Sequence, residues 1–302
     1  MSATRRLASA LATAATLSAL LAAYAVYVEP YRLVRRRRRL EVVGLPPALT
    51  GLTILHVSDF HLSHRDSRRI SQIERALATE ADLVALTGDF IANDDAIPVL
   101  IDLFRRVRSR YGAFGVLGNH DHRSIPFSLG LAKELLIRSG VPLARPNDVA
   151  HLMEAAAAVG ITVLNNDHRS VTIRGESIYV LGVDDPYRHR PDLERARRGV
   201  PAGAFELLLA HSPDIWPEAC AAGIPLTLAG HTHGGQIRVP FYGPLTTRTR
   251  ATLAQPAGLM RSGDCLLHVS TGLGASFPAR FAVPPESTLL ELVPGGTQME
   301  PR

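Results

Sequence analysis

The motif GHTH at Gly230–His233 contains two histidines one residue apart, and two further glycines follow it. Imidazoles at positions i and i+2 of an extended chain point the same way. Glycine adds no side-chain bulk and tolerates backbone angles that other residues avoid. The motif therefore predicts either a glycine-rich turn with two solvated histidines or a site where His231 and His233 each bind one metal ion.

Residues that can bind a metal ion also follow four short apolar runs other than the one that precedes GHTH. All of these positions carry a carboxylate, an amide or an imidazole: Asp59, His61, Asp89, Asn119, His120, Asp121 and His211. Oxygen and imidazole donors together suit Mn, Fe or Zn better than Mg or Ca, which prefer oxygen alone. Two such cations about 3.5–4 Å apart can activate a bridging hydroxide and clamp a phosphoryl group. The donor set therefore predicts two divalent metal ions and phosphoester hydrolysis.

The apolar runs have the length of buried β-strands. They are Thr53–Val57, Leu83–Thr87, Ala113–Leu117, Glu206–Ala210 and Leu226–Ala229, and they alternate with helix-like stretches at Ser67–Ala78, Ala96–Arg108 and Leu129–Ser139. This alternation predicts an α/β sheet covered on both faces, with the donors meeting beyond the carboxyl ends of its strands. Ser170–Val183, and Cys265–Val269 with Thr288–Val293, are expected to form hairpin strands, which makes the class mixed α/β.

The N-terminal stretch Leu7–Val28 contains no charged residue. A membrane-spanning helix needs about 20 such residues, whereas the apolar part of a cleaved signal peptide usually has about 7–15. We therefore expect an uncleaved single-pass membrane anchor. More arginines follow the stretch than precede it, which predicts a cytoplasmic catalytic domain. Arg5-Arg6 faintly resembles a twin-arginine export signal, so the exported face remains the alternative.

Positive charge is concentrated at the N-terminus. Residues 1–40 contain eight arginines and one acidic residue, although the whole chain of 302 residues has a net charge of only +5. The remainder is mildly acidic, so no stable nucleic-acid partner is expected. Arg35–Arg39 forms either a solvated flank or a contact with anionic lipid headgroups. We divide the chain into an anchor, basic flank and linker (1–50), a catalytic domain (51–296) and a tail (297–302).

Taken in order, the blocks DFH, GD, GNHD, H and GHTH resemble those of the calcineurin-like dimetal metallophosphoesterase family. The segments GHTHGGQIRVPFYGP and HVSTGLGASFPARFAVPPESTLLEL are also similar to its membrane-anchored bacterial branch. The resemblance implies two β-sheets packed as a sandwich and flanked by helices. It further implies a first metal on Asp59, His61, Asp89 and His233, and a second on Asp89, Asn119, His211 and His231.

The resemblance assigns a different role to His120, which would stabilise the transition state or protonate the leaving oxygen, with Asp121 as its orienting partner. Arg188, Arg190 and Arg280 are candidates to bind a substrate phosphate, because the guanidinium group forms paired hydrogen bonds with phosphate oxygens. A solvated loop is the alternative for these arginines.

The expected activity is hydrolysis of a phosphoester or pyrophosphate bond by a metal-bridging hydroxide. A membrane-associated or nucleotide-linked lipid such as UDP-2,3-diacylglucosamine is the expected substrate, by analogy with family members of this shape. A cyclic-nucleotide phosphodiesterase or nuclease of the same family is one alternative. A non-catalytic membrane scaffold is the alternative from another class, although such a protein would be expected to lose metal ligands.

Overall fold

The computed structural model describes residues 3–63, 66–124, 139, 144–187, 190–247, 249–250, 253 and 255–296. The α-helices in this part of the chain are α1 (Ala3–Tyr27), α2 (Ser67–Leu77), α3 (Ile97–Phe104), α4 (Asn119–His122), α5 (Val149–Ala157), α6 (Leu193–Arg197) and α7 (Trp216–Ala221). Short 3-10 turns occupy Glu29–Tyr31, Pro47–Leu49, Asp94–Ala96, Pro213–Ile215 and His233–Gly235. The strands are β1 (Val34–Val42), β2 (Thr53–Val57), β3 (Leu83–Thr87), β4 (Ala113–Val116), β5 (Arg123–Ser124), β6 (Arg145–Pro146), β7 (Ile161–Leu164), β8 (Asp167–Ile173), β9 (Glu176–Gly182), β10 (Phe205–Leu209), β11 (Leu226–Ala229), β12 (Arg238–Val239), β13 (Gly243–Pro244), β14 (Gly258–Ser262), β15 (Cys265–Val269) and β16 (Glu286–Pro294).

Two six-stranded sheets carry the fold. One has the order β1-β16-β2-β3-β4-β7 and the other has the order β14-β15-β11-β10-β9-β8. Parallel pairs form the centre of each sheet, and antiparallel pairs such as β16 with β2 and β8 with β9 lie nearer the edges. The predicted mixed α/β class is therefore confirmed.

The two sheets share a core between their facing surfaces. Ile54, Leu83 and Val116 of the first sheet belong to the same buried cluster as Val180 and Leu228 of the second. The outer face of the first sheet is covered by α2, α3 and α5, whose buried side chains form a separate cluster. Because both faces of the central strands are covered, these strands are continuous apolar runs in the sequence.

His56 lies within the core between the sheets and is fully buried. Its Nδ1 is 2.8 Å from Nδ1 of His268, and its Nε2 is 2.9 Å from Oγ1 of Thr87. It is therefore a hydrogen-bonded core histidine and lies outside the donor cluster.

The segment expected to be a basic flank and linker forms the edge strand β1. It pairs in parallel with β16 along its full length, from Val34 opposite Glu286 to Val42 opposite Pro294. The arginine side chains remain largely exposed, whereas Leu40 and Val42 are fully buried. The expected boundary at residue 50 thus leaves one strand of the first sheet on the anchor side.

The expected pairing of Cys265–Val269 with Thr288–Val293 is wrong. Strand β15 instead pairs antiparallel with β14, through a tight turn at Gly263 with a φ of 55°. Strand β16 belongs to the other sheet, where it pairs with β1 and β2. The error arises because a hydrophobic pattern identifies strands but does not specify which distant strand each will pair with. The predicted helix Leu129–Ser139 and the tail lie outside the described residues, apart from Ser139.

Candidate metal centre

The predicted donors lie beyond the carboxyl ends of five strands, where the two sheets meet. Asp59 and His61 follow β2, Asp89 follows β3, and α4 directly after β4 carries Asn119, His120 and Asp121. His211 follows β10, and His231 and His233 follow β11. All but Asn119, which is half-buried, are buried. Strands of both sheets therefore contribute to one cluster.

The backbone at this cluster adopts an uncommon conformation. Asp59, His61, Asp89, His231 and His233 all have positive φ angles, between 42° and 68°. Residues other than glycine rarely occupy this region, and each such residue costs roughly 1–3 kcal/mol unless its surroundings compensate. The tight turns they form direct five side chains inward from the ends of their strands.

Gly118 and Gly230 must be glycines, because side chains of the cluster lie directly against them. A Cβ atom on Gly118 would lie 2.2 Å from Oδ1 of Asp89. A Cβ atom on Gly230 would lie 1.9 Å from Oγ of Ser58 and 2.5 Å from Oδ2 of Asp59. Any side chain at either position would displace a carboxylate of the cluster.

The donor atoms form two neighbouring groups. In the first, Nε2 of His61 lies 3.0 Å from Nε2 of His233, which is 3.5 Å from Oδ1 of Asp59. In the second, Nε2 of His211 lies 3.1 Å from Nδ1 of His231. Oδ2 of Asp89 is 3.5 Å from Nε2 of His61 and 3.3 Å from Nε2 of His211. The Asp89 carboxylate therefore lies between the two groups.

These separations fit metal ligation. Nitrogen and oxygen ligands about 2.0–2.2 Å from one cation lie roughly 3–3.5 Å from each other. Oδ1 of Asn119 is also buried, with no hydrogen-bond partner among the described residues. Since a buried amide oxygen is costly to leave unpaired, this atom is available for a cation.

Further side chains hold the donors in place. Oγ of Ser58 donates a hydrogen bond of 2.6 Å to Oδ2 of Asp59, and the backbone amide of His120 donates one of 2.8 Å to Oδ1 of Asp89. Nδ1 of His211 lies 2.7 Å from the carbonyl oxygen of Thr87. Contacts of this kind orient metal-binding side chains in known sites.

Burial and mutual charge shift the pKa values of the donors. Burial disfavours the ionised form of Asp89, but His211 and His120 outweigh it and hold its pKa well below the usual range. Burial lowers the pKa values of His61 and His233 well below 6.5. An ionised carboxylate and neutral imidazoles are the forms that bind metal ions. Burial lowers the pKa of His211, but Asp89 outweighs it and raises that pKa well above 6.5, so a cation bound there would displace a proton.

Asp121 has different partners from those expected. Its Oδ1 accepts hydrogen bonds from the backbone amides of Phe90 (2.7 Å) and Ile91 (3.1 Å), and its Oδ2 accepts one from Gly118 (2.9 Å). Burial, followed by the charge of Asp89, raises the pKa of Asp121 to about 7. These bonds tie the turn after β3 to the turn after β4, so Asp121 holds two loops together instead of orienting the imidazole of His120.

Arg280 is not exposed to a substrate, contrary to the sequence interpretation. It is fully buried, and its guanidinium group donates to the carbonyl oxygens of Thr271 (2.7 Å) and Val283 (3.1 Å) and also to that of Gly274. Its Nη2 also lies 3.3 Å from Nδ1 of His233. The side chain therefore packs behind a donor of the cluster and supports it.

The other two arginines are not part of the described cluster. Arg190 is exposed, and its carbonyl oxygen accepts a hydrogen bond from Asn166. Arg188 lies outside the described residues. A substrate contact by either residue stays a prediction.

Two neighbours of the cluster, Tyr187 and His122, were not among the predicted site residues. The ring of Tyr187 lies 4.4 Å from that of His231, centroid to centroid. Nε2 of His122 is 3.0 Å from Oδ1 of Asp184. Both contacts involve the loop DDPYRHR. Its position directly after β9 was the sequence signal that could have identified these two residues.

Comparison with known proteins agrees with this geometry. Residues 52–235 match the calcineurin-like phosphoesterase family. The chain is 29% identical over 278 residues to the metallophosphoesterase YkuE of Bacillus subtilis (strain 168), covering 89% of this chain and 88% of the relative. It is 28% identical to the phosphodiesterase YaeI of Escherichia coli (strain K12), covering 89% and 92%. It is 25% identical to the UDP-2,3-diacylglucosamine pyrophosphatase LpxG of Chlamydia trachomatis serovar D, covering 80% and 84%.

The family match spans more than half of the chain and includes all five donor blocks. Proteins of this family use a dimetal centre, and the structure contains groups of residues that could hold such ions. The chain therefore belongs to the calcineurin-like phosphoesterase family and is a phosphoester hydrolase.

Proposed function

We propose that this protein is a membrane-anchored hydrolase of a lipid-linked phosphoester or pyrophosphate. The main observation in favour of a two-metal hydrolytic centre is the position of Asp89. Its Oδ2 lies within 3.5 Å of an imidazole nitrogen in each donor group. One carboxylate in this position can be shared by two cations, which is the arrangement that two-metal phosphoester hydrolysis requires.

The ligand assignment that we propose follows the two groups. Asp59, His61, Asp89 and His233 would hold one cation, and Asp89, Asn119, His211 and His231 would hold the other. Mn, Zn or Fe suits this mixture of oxygen and imidazole donors. Bound there, such cations would supply a nucleophilic water and neutralise charge on the phosphoryl group.

His120 is the residue that we propose as the acid. It is buried, and its ring centroid lies 4.8 Å from that of His61 in an edge-on arrangement. Its backbone amide is fixed by Asp89, and its carbonyl oxygen accepts a hydrogen bond from Asn147. These contacts hold the imidazole beside the donor cluster, from which it would donate a proton to the leaving oxygen.

The lipid-linked substrate is supported by the N-terminal helix and by one relative. Thr4–Tyr31 is long and apolar enough to cross a membrane, and almost none of its most apolar stretch of 18 residues is buried against the rest of the chain. The relative LpxG is named for a pyrophosphatase that acts on a lipid-linked nucleotide. We extend this substrate class to the present chain as a proposal, since a shared fold does not determine the substrate.

We also propose that the catalytic domain faces the cytoplasm of a bacterial inner membrane. Six arginines follow the apolar stretch within a short distance and two precede it, and positively charged flanks are retained on the cytoplasmic side. A reporter fused to the C-terminus that is active only in the cytoplasm should be active. Activity of a periplasm-specific reporter would contradict this orientation.

A substrate screen tests the proposed reaction. Full-length protein in detergent, loaded with Mn²⁺ or Zn²⁺, should hydrolyse UDP-2,3-diacylglucosamine or a related lipid pyrophosphate faster than nitrophenyl phosphomonoesters or cyclic nucleotides. Chelation should abolish turnover, and adding back the metal should restore it. Turnover that is unaffected by chelation, or that is confined to water-soluble nucleotides, would contradict the proposal.

A further inference from the structure

Large apolar side chains are exposed in only two segments of the described chain. The first is the N-terminal helix and the residue after it, where Leu7, Leu11, Leu17, Leu20, Leu21, Tyr27 and Val28 are exposed. The second is the short segment 239–245, where Val239, Phe241, Tyr242 and Leu245 are exposed. Isolated exposed apolar residues are common, but a cluster on an otherwise polar surface indicates an interaction site.

The second segment is a hairpin, formed by β12 and β13 and referred to below as the apolar hairpin (residues 239–245). Residues 239–245 include no charged residue, although β12 begins at Arg238, and the tip carries Phe241, which is fully exposed, and Tyr242, which is 76% exposed. Its other side packs on the donor loop, since a Cβ atom on Gly235 would lie 2.3 Å from Cβ of Pro244. The apolar hairpin therefore adjoins the loop that carries His233.

The apolar hairpin and the end of α1 meet at the same short segment, Arg280–Phe281. The backbone amide of Arg280 donates a hydrogen bond of 2.8 Å to the carbonyl oxygen of Ala25 in the last turns of α1. The next residue, Phe281, accepts a hydrogen bond of 2.9 Å from the backbone amide of Arg238. The contact made by the end of α1 and the contact made by the base of the hairpin thus fall on two consecutive residues.

The position of the membrane boundary follows from the exposure of α1. Residues 4–23 are exposed, and burial against the rest of the chain begins at Tyr24 and Ala25. A helix of about 20 residues spans about 30 Å, which is the thickness of the hydrocarbon core. A membrane spanned by α1 would therefore have its surface near Tyr24, next to Ala25, which bonds to the same Arg280–Phe281 segment as the base of the apolar hairpin.

We propose that the apolar hairpin inserts into the headgroup region of the bilayer that holds α1. Aromatic residues are enriched at that depth, because their rings are partly apolar and partly polar. Two membrane contacts on either side of Arg280–Phe281 hold the donor cluster against the lipid surface. The substrate class that fits this placement is a phosphorylated lipid whose acyl chains remain in the bilayer. This last step depends on the proposed function, whereas insertion of the hairpin does not.

Fluorescence quenching tests the insertion directly. Full-length protein carrying Trp216→Phe and Phe241→Trp is reconstituted into phosphatidylcholine vesicles with brominated acyl chains. Nε1 of Trp216 has no hydrogen-bond partner among the described residues, so the background change breaks no such bond. The emission of the probe should be strongly quenched relative to vesicles of the same lipid without bromine.

The matched control places the probe at the other end of the second sheet. Ser177 is exposed near the start of β9, whereas the donor cluster lies beyond the carboxyl ends of the parallel strands β9, β10 and β11. Ser177→Trp in the same background should be quenched little. Equal quenching at both positions would contradict the proposal, as would a blue-shifted Phe241→Trp probe that bromine does not quench, since a second copy would then cover the hairpin.

A rate comparison tests the consequence for the substrate. In Phe241→Ser with Tyr242→Ser, the ratio of vesicle-embedded lipid turnover to bis-p-nitrophenyl phosphate turnover should fall about tenfold, because the lipid surface is held less closely. An unchanged ratio would overturn the lipid-surface placement. Quenching of the hairpin probe without turnover of any phosphoester would contradict the proposed hydrolysis and support the insertion.

Discussion

At the scale of single residues, the donor cluster contains groups with separable tasks. The proposed metal ligands and His120 are close neighbours, and donor atoms of His61, Asp89 and His120 all lie within 4.8 Å of one another. Proximity alone therefore does not distinguish a ligand from an acid. Substitution can do so, because a ligand affects metal content and an acid affects the rate.

His120→Ala should lower kcat about 10²- to 10⁴-fold, the usual contribution of a positioned imidazole. Metal content and KM should change little, because the other donors remain. Asn119→Ala is the matched comparison and should lower the metal content, since it removes the buried amide oxygen. Loss of metal in His120→Ala would instead make His120 a ligand.

Asp121→Asn should destabilise the fold by about 1–3 kcal/mol, because the amide nitrogen would face a backbone N–H that now bonds to a carboxylate oxygen. The free energy of unfolding is the measurement. Asp264→Asn, in the β14–β15 turn, is the control and should change it by less than about 0.5 kcal/mol. Equal effects would show that the loop-to-loop bonds of Asp121 contribute nothing to stability.

The pair His122–Asp184 should make stability depend on pH. Burial opposes protonation of His122, but the hydrogen bond and charge of Asp184 outweigh it and raise the pKa of His122 above 6.5. A raised pKa in the folded state contributes stability that is complete below pH 6.5 and disappears as the pH rises through the folded pKa.

His122→Ala should therefore destabilise the protein more at about pH 5.5 than at about pH 8.5. Denaturant unfolding of wild type and variant at both pH values measures the difference. Ser177→Ala, at an exposed position of β9 that carries no titratable side chain, serves as the control and should change the stability equally at both pH values. A larger effect at the higher pH would contradict the sign of the argument.

At the scale of elements, the basic segment after α1 is a strand of the first sheet. Leu40 is fully buried within it, whereas Arg38 on the same strand is exposed. Leu40→Ala should cost about 2–5 kcal/mol, and Arg38→Ala less than about 0.5 kcal/mol. Thermal unfolding in detergent should therefore give a clearly lower midpoint only for Leu40→Ala. Equal midpoints would indicate a free linker.

The sequence predicted the central strands because each of them is identified by its own consecutive residues. Thr53–Val57, Leu83–Thr87 and Leu226–Ala229 begin and end at the expected residues, since each is a continuous apolar run closed by a polar turn. Strand β1 has no such signal, because its arginines interrupt the apolar pattern and its partner residues lie some 250 positions later in the chain. The burial of Arg280 was missed for the same reason, since its partners are carbonyl oxygens of a folded loop.

At the scale of the whole molecule, both sheets supply donors, and the apolar helix α1 ends beside the loop that supports one of them. The backbone amide of Arg280 bonds to Ala25 of α1, and its guanidinium group lies 3.3 Å from His233. The end of α1 and the donor cluster are therefore parts of one packed structure. The proposed function depends above all on Asp89 being shared between two cations.

Anomalous diffraction from Mn²⁺-loaded crystals tests that claim most directly. Two peaks about 3.5–4 Å apart should flank the carboxylate of Asp89, with metal analysis giving two ions per chain. Asp89→Asn should lose at least one ion together with the activity. A single peak remote from Asp89, or two ions and full turnover in Asp89→Asn, would contradict the account.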